Sequence, residues 1–171
     1  MQETMLQEVM TAPREIRFDR VPVPTAGPGQ VLVKIMDIGV CGSDIHVYHG
    51  KHPFTKYPVT QGHEVSGEIV KCGANVEGLT VGQKVTIEPQ VYCGKCYPCS
   101  IGHTNCCENL TVRGVHIEGG MAEYVSHPRH LLHKVPAGIP WHLVPMAEPL
   151  VIAMHAVKQA EVKAGQHVVI T

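Results

Sequence analysis

Polar and apolar residues alternate in several short segments of the chain, which is the pattern of strands with one buried face. Residues 15–21 and parts of 31–37 show this alternation, and a turn-rich connector of proline and glycine, 22–29, separates the two segments. Further short strands are predicted at 65–71, 84–88, 121–126 and 131–135, the last two as a pair. Short strands at this spacing are typical of a β-barrel or sandwich, so the chain is predicted to be mainly β.

The pattern changes after Pro145. Apolar residues recur at helical spacing from 150 to 157, Gly165 ends that segment, and residues 167–171 read as the start of a buried strand. We therefore expect a main domain over residues 1–145, followed over 146–171 by a linker helix and the first strand of a second domain that is cut off.

Composition narrows the function classes. Lys and Arg number 14 against 15 Asp and Glu, a formal net charge of −1, which provides no electrostatic attraction for nucleic acid or an anionic membrane. No apolar run is long enough to span a bilayer, and residues 1–13 lack the pattern of a secretory signal, so a cytoplasmic chain is expected. Seven cysteines in such a chain indicate metal or thiol chemistry rather than disulfides.

Four cysteines in the region 88–115, which we call the cysteine lobe, have the spacing Cys-x2-Cys-x2-Cys-x7-Cys. They are Cys93, Cys96, Cys99 and Cys107. Four thiolates suit a closed, structural Zn²⁺ site. The alternatives are an iron–sulfur cluster, a set of buried thiols and a nucleic-acid zinc ribbon, and the last lacks a basic stripe. Cys106 competes with Cys107 as the fourth ligand, and we favour Cys107.

A second candidate metal site combines residues that are far apart in the sequence. Cys41 would supply a thiolate, His63 an imidazole, and either Glu64 or Glu148 a carboxylate. Three protein ligands of these types leave one coordination position of Zn²⁺ open, which is the arrangement of a catalytic zinc. Spacing alone supports this site only weakly.

Several motifs in order resemble the zinc alcohol dehydrogenases of the medium-chain dehydrogenase/reductase family. Residues 62–67 (GHEVSG), with Gly73 and Val76, match the zinc signature of that family, and residues 41–46 (CGSDIH) match its catalytic cysteine segment. The cysteine lobe matches the structural zinc lobe of the family. The Glu-Pro-Leu at 148–150 resembles the sorbitol (polyol) dehydrogenase branch, or its threonine and butanediol dehydrogenase relatives.

The resemblance implies a GroES-like, partly open β-barrel with a zinc lobe, followed by the first helix and strand of a truncated Rossmann domain. It implies Cys41 and His63 as catalytic zinc ligands, with Glu64 or Glu148 as the carboxylate. Neighbours on a regular strand point to opposite faces, so His63 and Glu64 can share a metal only where the backbone is irregular, as Gly62 permits. We favour Glu64 as the resting ligand.

Four nearby residues are assigned roles around that metal. Asp44 would fix a ligand imidazole, unless it is a turn or helix-cap carboxylate. Ser43 and His46 would form a proton relay through the cofactor ribose, by resemblance to the family, unless they are a helix cap and a surface imidazole. Tyr48 is a candidate substrate contact and almost equally a packing residue.

The expected activity is oxidation of a secondary alcohol, such as a polyol or sugar alcohol, by hydride transfer to NAD or NADP. The complete enzyme would hold two zinc ions per chain and form a dimer or tetramer. The glycine-rich nucleotide loop has no counterpart in these 171 residues, so the chain alone is expected to be inactive. The alternatives are a non-enzymatic zinc-binding interaction module and a zinc-free quinone reductase relative.

Overall fold

The computed structural model describes residues 2–170, and its first element is a two-stranded antiparallel hairpin. Strand β1 spans Thr4–Ala12 and pairs with β2, which spans Glu15–Pro22. β1 also bonds to the rest of the fold, because Met10 and Val59 exchange backbone hydrogen bonds and the Glu8 amide donates to Met121. Within residues 2–170, no helix is both long and apolar enough to cross a membrane.

A five-stranded sheet, curled into a half-barrel, forms the body of the molecule. Its order is β8-β3-β4-β5-β9, and every neighbouring pair is antiparallel. The strands are β3 (Gln30–Gly39), β4 (Glu64–Cys72), β5 (Lys84–Ile87), β8 (Tyr124–Pro128) and β9 (Leu132–Lys134). The buried core is aliphatic, consisting of Val31, Val33, Val65, Ile69, Val85, Ile87, Val125 and Leu132. Alternation along each strand places these β-branched and leucine side chains on one face of the sheet.

Two inserts interrupt the sheet. The first contains helix α1 (Gly42–Tyr48), between β3 and β4. The second is the cysteine lobe, closed at its stem by the short strands β6 (Gln90–Val91) and β7 (Thr111–Val112) and containing helix α2 (Tyr97–Ser100). A 3₁₀ segment, Trp141–Met146, then leads into helix α3, Ala147–Gln159.

The structure confirms the mainly β prediction and corrects two details of it. The segments 121–126 and 131–135 contain β8 and β9, which do not pair with each other but lie at opposite edges of the sheet. The helix after Pro145 forms as α3, but residues 167–170 form no strand and are exposed. A strand needs a hydrogen-bonding neighbour, and none lies beside this segment within residues 2–170. Thr171 lies outside the described residues.

Candidate metal centres

Cys41, His63 and Glu64 form the first candidate metal centre. Their potential ligand atoms all lie within 4.8 Å of one another, although residue 41 and residues 63–64 are more than twenty positions apart in the chain. His63 and Glu64 are buried and Cys41 is half-buried. A thiolate, an imidazole and a carboxylate converging at this distance fit the ligand set of a zinc ion.

The local backbone explains how two consecutive residues reach one point. Gly62 has φ +95°, in the left-handed region, and β4 begins only at Glu64, so His63 lies outside the regular strand. The strict alternation of side chains therefore does not apply between His63 and Glu64. Cβ of an alanine at position 62 would lie 2.4 Å from Cδ1 of Ile38, so space as well as φ requires glycine there.

Gly39 makes room for the Glu64 carboxylate. It pairs with Glu64 across β3 and β4, and a Cβ added there would meet Oε2 of Glu64 at 2.0 Å. Any larger residue would clash with the Glu64 side chain in its present position. Nothing in the spacing of sequence motifs marks Gly39, because its role depends on the strand register.

Asp44 lies between two of the candidate ligands. Cys41 is the N-cap of α1, and Oδ2 of Asp44 accepts the Cys41 backbone N–H at 2.9 Å. The other carboxylate oxygen, Oδ1, lies 3.8 Å from Nδ1 of His63. That nitrogen is buried and has no hydrogen-bond partner within residues 2–170. A carboxylate facing one imidazole nitrogen leaves the other, Nε2, for a metal.

Glu148 lies near the same centre, in the first turn of α3. The pKa of its carboxyl is raised, mainly by partial burial. The charge of His63 lowers this pKa, and the charge of Glu64 raises it. These electrostatic effects place Glu148 within range of both residues, but the cluster of converging ligand atoms contains Glu64 and not Glu148. Glu64, and not Glu148, is therefore the carboxylate that the structure brings together with Cys41 and His63.

The remaining sequence candidates lie along α1. Ser43 is half-buried and His46 is exposed, and both lie on the short helix whose N-cap is Cys41. Tyr48 packs against a small cluster of Met10, Val47 and Val59, which favours packing over substrate contact.

The cysteine lobe holds the second candidate centre. The sulfurs of Cys93, Cys96, Cys99 and Cys107 lie within 4.8 Å of one another, with Sγ of Cys96 3.4 Å from that of Cys99 and 3.8 Å from that of Cys107. Cys106 is exposed and does not belong to the cluster. The structure therefore brings Cys107, not Cys106, to the other three sulfurs.

The backbone of the lobe stabilises negative charge on some of these sulfurs. The N–H groups of Lys95 and Cys96 lower the pKa of Cys93 to about 6, whereas removal from water and the neighbouring Cys96 thiol raise that of Cys99 to about 12. Four thiolates this close repel one another, and a bound dication removes the repulsion. The sulfur set fits tetrahedral Zn²⁺.

Buried polar residues that the sequence did not single out join the lobe to the barrel. His127, which is fully buried, donates from Nε2 to the Glu88 carbonyl at 3.0 Å and accepts at Nδ1 from Nε of Arg113 at 3.3 Å. Arg113 also donates to the Ser126 carbonyl at 3.0 Å. Glu88 and Arg113 lie at the two ends of the lobe, so this network fixes both.

This network predicts a loss of stability in acid. Burial, together with the Arg113 charge, lowers the pKa of His127 to about 3. Between about pH 6.5 and 3 the unfolded chain binds a proton that the folded chain does not, so stability falls by up to about 1.4 kcal/mol per pH unit. From pH 7 to 5.5, the unfolding free energy of the wild type should fall by about 1 kcal/mol more than that of His127→Gln, measured by denaturant titration. Equal losses in both proteins would contradict the assignment.

Comparison with known proteins identifies the family. Residues 27–137 match the model of the alcohol dehydrogenase GroES-like domain. Over 99% of its length the chain is 46% identical to an uncharacterized zinc-type alcohol dehydrogenase-like protein of Haemophilus influenzae, of which it covers 50%. It is 40% identical to L-galactonate-5-dehydrogenase of Escherichia coli, with 98% of the chain and 49% of that protein covered.

Two further comparisons agree. A sorbitol dehydrogenase of Halalkalibacterium halodurans is 43% identical, with 88% of the chain and 44% of that protein covered. The NADH complex of the rspB alcohol dehydrogenase of Escherichia coli CFT073 superposes with a TM-score of 0.87 at 38% identity, covering 94% of the chain and 47% of that structure. The chain thus spans about half the length of these relatives. It belongs to the zinc-dependent medium-chain dehydrogenase/reductase family, the alcohol dehydrogenases with a GroES-like domain.

Proposed function

We propose that this chain is the catalytic domain of a zinc-dependent dehydrogenase that oxidises a secondary alcohol by hydride transfer to a nicotinamide cofactor. The convergence of one thiolate, one imidazole and one carboxylate, from Cys41, His63 and Glu64, carries the proposal. Three ligands of these types leave an open position, as a catalytic zinc requires. The four-cysteine centre is closed and would be structural.

Each residue of the first centre has a definite task. Cys41, His63 and Glu64 would hold the zinc, which would lower the pKa of an alcohol hydroxyl and so favour hydride release. Asp44 orients the His63 ring through Nδ1 and accepts the Cys41 N–H. Glu148 would provide a second carboxylate beside the centre, as the alternative to Glu64 for the carboxylate ligand.

The proton of the alcohol needs a route to water. Ser43 can accept a proton and donate its own, and exposed His46 on the same helix can pass it to solvent. Burial decreases along this route from the ligands to His46.

Replacing Ser43 by alanine in the complete enzyme is expected to slow hydride transfer by about 10²-fold without releasing zinc, because it removes a proton-transferring hydroxyl but no ligand. Transient kinetics with protiated and deuterated alcohol would measure the step. An unchanged rate would exclude Ser43 from the relay.

The domain division and the substrate class complete the proposal. Residues 1–145 form the catalytic domain, and 146–171 begin the connection to a nicotinamide-binding domain. The relatives are named for sorbitol, L-galactonate and alcohols. We therefore propose a small polar substrate with a secondary hydroxyl, a polyol or a sugar acid, and a dimeric or tetrameric complete enzyme.

The proposal is tested by assaying the complete enzyme against polyols, sugar acids and amino alcohols, with NAD and with NADP. We expect reduction of one cofactor with at least one secondary alcohol, abolished by a chelator and restored by Zn²⁺. Turnover that survives complete removal of zinc would contradict the proposal.

A further inference from the structure

Glu8 is a buried carboxyl group in the middle of β1 that the proposed mechanism does not use. Its exposed fraction is 5%, and Oε2 accepts the backbone N–H of Gln61 at 3.1 Å. Oε1 is buried and has no hydrogen-bond partner within residues 2–170. Thr60 strengthens the same contact, because its hydroxyl donates to the Glu8 carbonyl at 2.8 Å. β1 thus holds the chain immediately before Gly62 and His63.

Gln61 carries this contact onward to α1. The side chain is 3% exposed, and its Nε2 donates to both the carbonyl and Oδ1 of Asp44, at 3.0 and 3.3 Å. Its own carbonyl accepts from the Met121 N–H at 2.9 Å. Gln61 is therefore fixed on its two backbone sides, by Glu8 and by Met121, and its amide is directed at Asp44.

The Asp44 oxygen that receives this hydrogen bond is also the one that faces His63. Oδ1 lies 3.8 Å from Nδ1 of His63, while Oδ2 accepts the Cys41 N–H. One carboxylate thus faces two candidate zinc ligands, and Gln61 is the side chain that donates a hydrogen bond to its Oδ1. Because the Cys41 N–H already holds Oδ2, the Gln61 amide completes the restraint on the oxygen that faces His63.

We propose that Gln61, itself held by Glu8, is a positioning residue for the catalytic zinc centre. Its amide holds Asp44 so that Oδ1 faces Nδ1 of His63, 3.8 Å away, which leaves Nε2 of that ring for the metal. The inference rests on the proposed function, because it assumes that Cys41, His63 and Glu64 hold zinc. It adds Gln61 and Glu8 to the residues that support the centre, and Glu8 lies on β1.

The variant Gln61→Met tests this in the complete enzyme, because it keeps the length of the side chain but removes the donor. Zinc affinity at the Cys41 centre, measured by chelator competition, is expected to fall roughly 10–100-fold, as for other residues that support metal ligands. The visible absorption of the cobalt-substituted centre should change, whereas the lobe zinc is retained.

The matched control is Gln83→Met, since the Gln83 side chain accepts the Thr80 N–H in a distant turn. It should leave zinc affinity and the cobalt spectrum unchanged. Wild-type affinity and spectrum in Gln61→Met would overturn the proposal.

If Gln61→Met also loses the lobe zinc, Gln61→Glu decides, because it keeps the shape of the side chain and replaces the donating amide by an acceptor. Loss of zinc from the Cys41 centre, with the lobe zinc retained, supports the proposal. Wild-type zinc affinity in this variant, or loss of both zinc ions here as well, overturns it.

The same measurements separate the two proposals. If the wild-type protein binds zinc only in the lobe, the proposed function itself fails. If the wild-type protein binds two zinc ions and Gln61→Met binds them equally well, only the positioning role of Gln61 is refuted.

Discussion

Cys41→Ser is expected to remove zinc from the catalytic centre and to slow alcohol oxidation by the complete enzyme by roughly a hundredfold or more. Loss of a residue that only supports a metal ligand already costs about 10–100-fold, and loss of a ligand itself should cost at least as much. The thiolate is the single soft ligand of the centre, and a serine hydroxyl stays protonated near neutral pH and binds Zn²⁺ poorly. Metal analysis should find one zinc per chain instead of two.

Cys72→Ser provides the control for this variant. Cys72 is a half-buried thiol whose sulfur lies 3.8 Å from the Leu79 carbonyl, and it belongs to neither cluster. It should keep two zinc ions and its activity. A Cys41→Ser enzyme that retains both zinc ions and full activity would contradict the assignment of Cys41.

Cys107→Ser is expected to release the other zinc and unfold the lobe. Structural zinc contributes about 10–16 kcal/mol of apparent binding free energy in small zinc domains, so the loss of one thiolate should cost several kcal/mol. For a chain of this size, that lowers Tm by on the order of 10 °C. Limited proteolysis between residues 92 and 110 and thermal unfolding would measure the effect.

The neighbouring residue offers a close control, because Cys106 differs from Cys107 by one position and is exposed outside the cluster. Cys106→Ser should retain the lobe zinc and the wild-type Tm. If instead Cys106→Ser lost the lobe zinc and Cys107→Ser kept it, Cys106 would be the fourth ligand in place of Cys107.

The strands that the sequence predicted are those rich in β-branched apolar residues, such as β3 and β4. The first strand was missed because its inward residues are Met5, Glu8 and Met10, which change phase and include a carboxyl group. Pairing was wrong for β8 and β9, since local alternation carries no information about which strand lies alongside. The strand expected at 167–170 shows the same limit, because a strand forms only with a neighbour.

The candidate centres differ in how far the sequence predicts them. The four lobe cysteines are local, so their spacing alone indicates convergence. Cys41 and His63 were linked only by resemblance to a family, because the N-terminus of α1 and the irregular residue before β4 meet in three dimensions. Glu8 and Gln61 carry no motif at all, and their contact depends on how β1 lies beside residues 59–62.

Anomalous diffraction at the zinc edge, from crystals of the complete, zinc-loaded enzyme, would show whether Cys41, His63 and Glu64 share a zinc ion. We expect a peak at the point shared by Sγ of Cys41, an imidazole nitrogen of His63 and a carboxylate oxygen of Glu64, with a second peak among the four lobe sulfurs. A map with the lobe peak but no density between Cys41 and His63 would contradict this expectation.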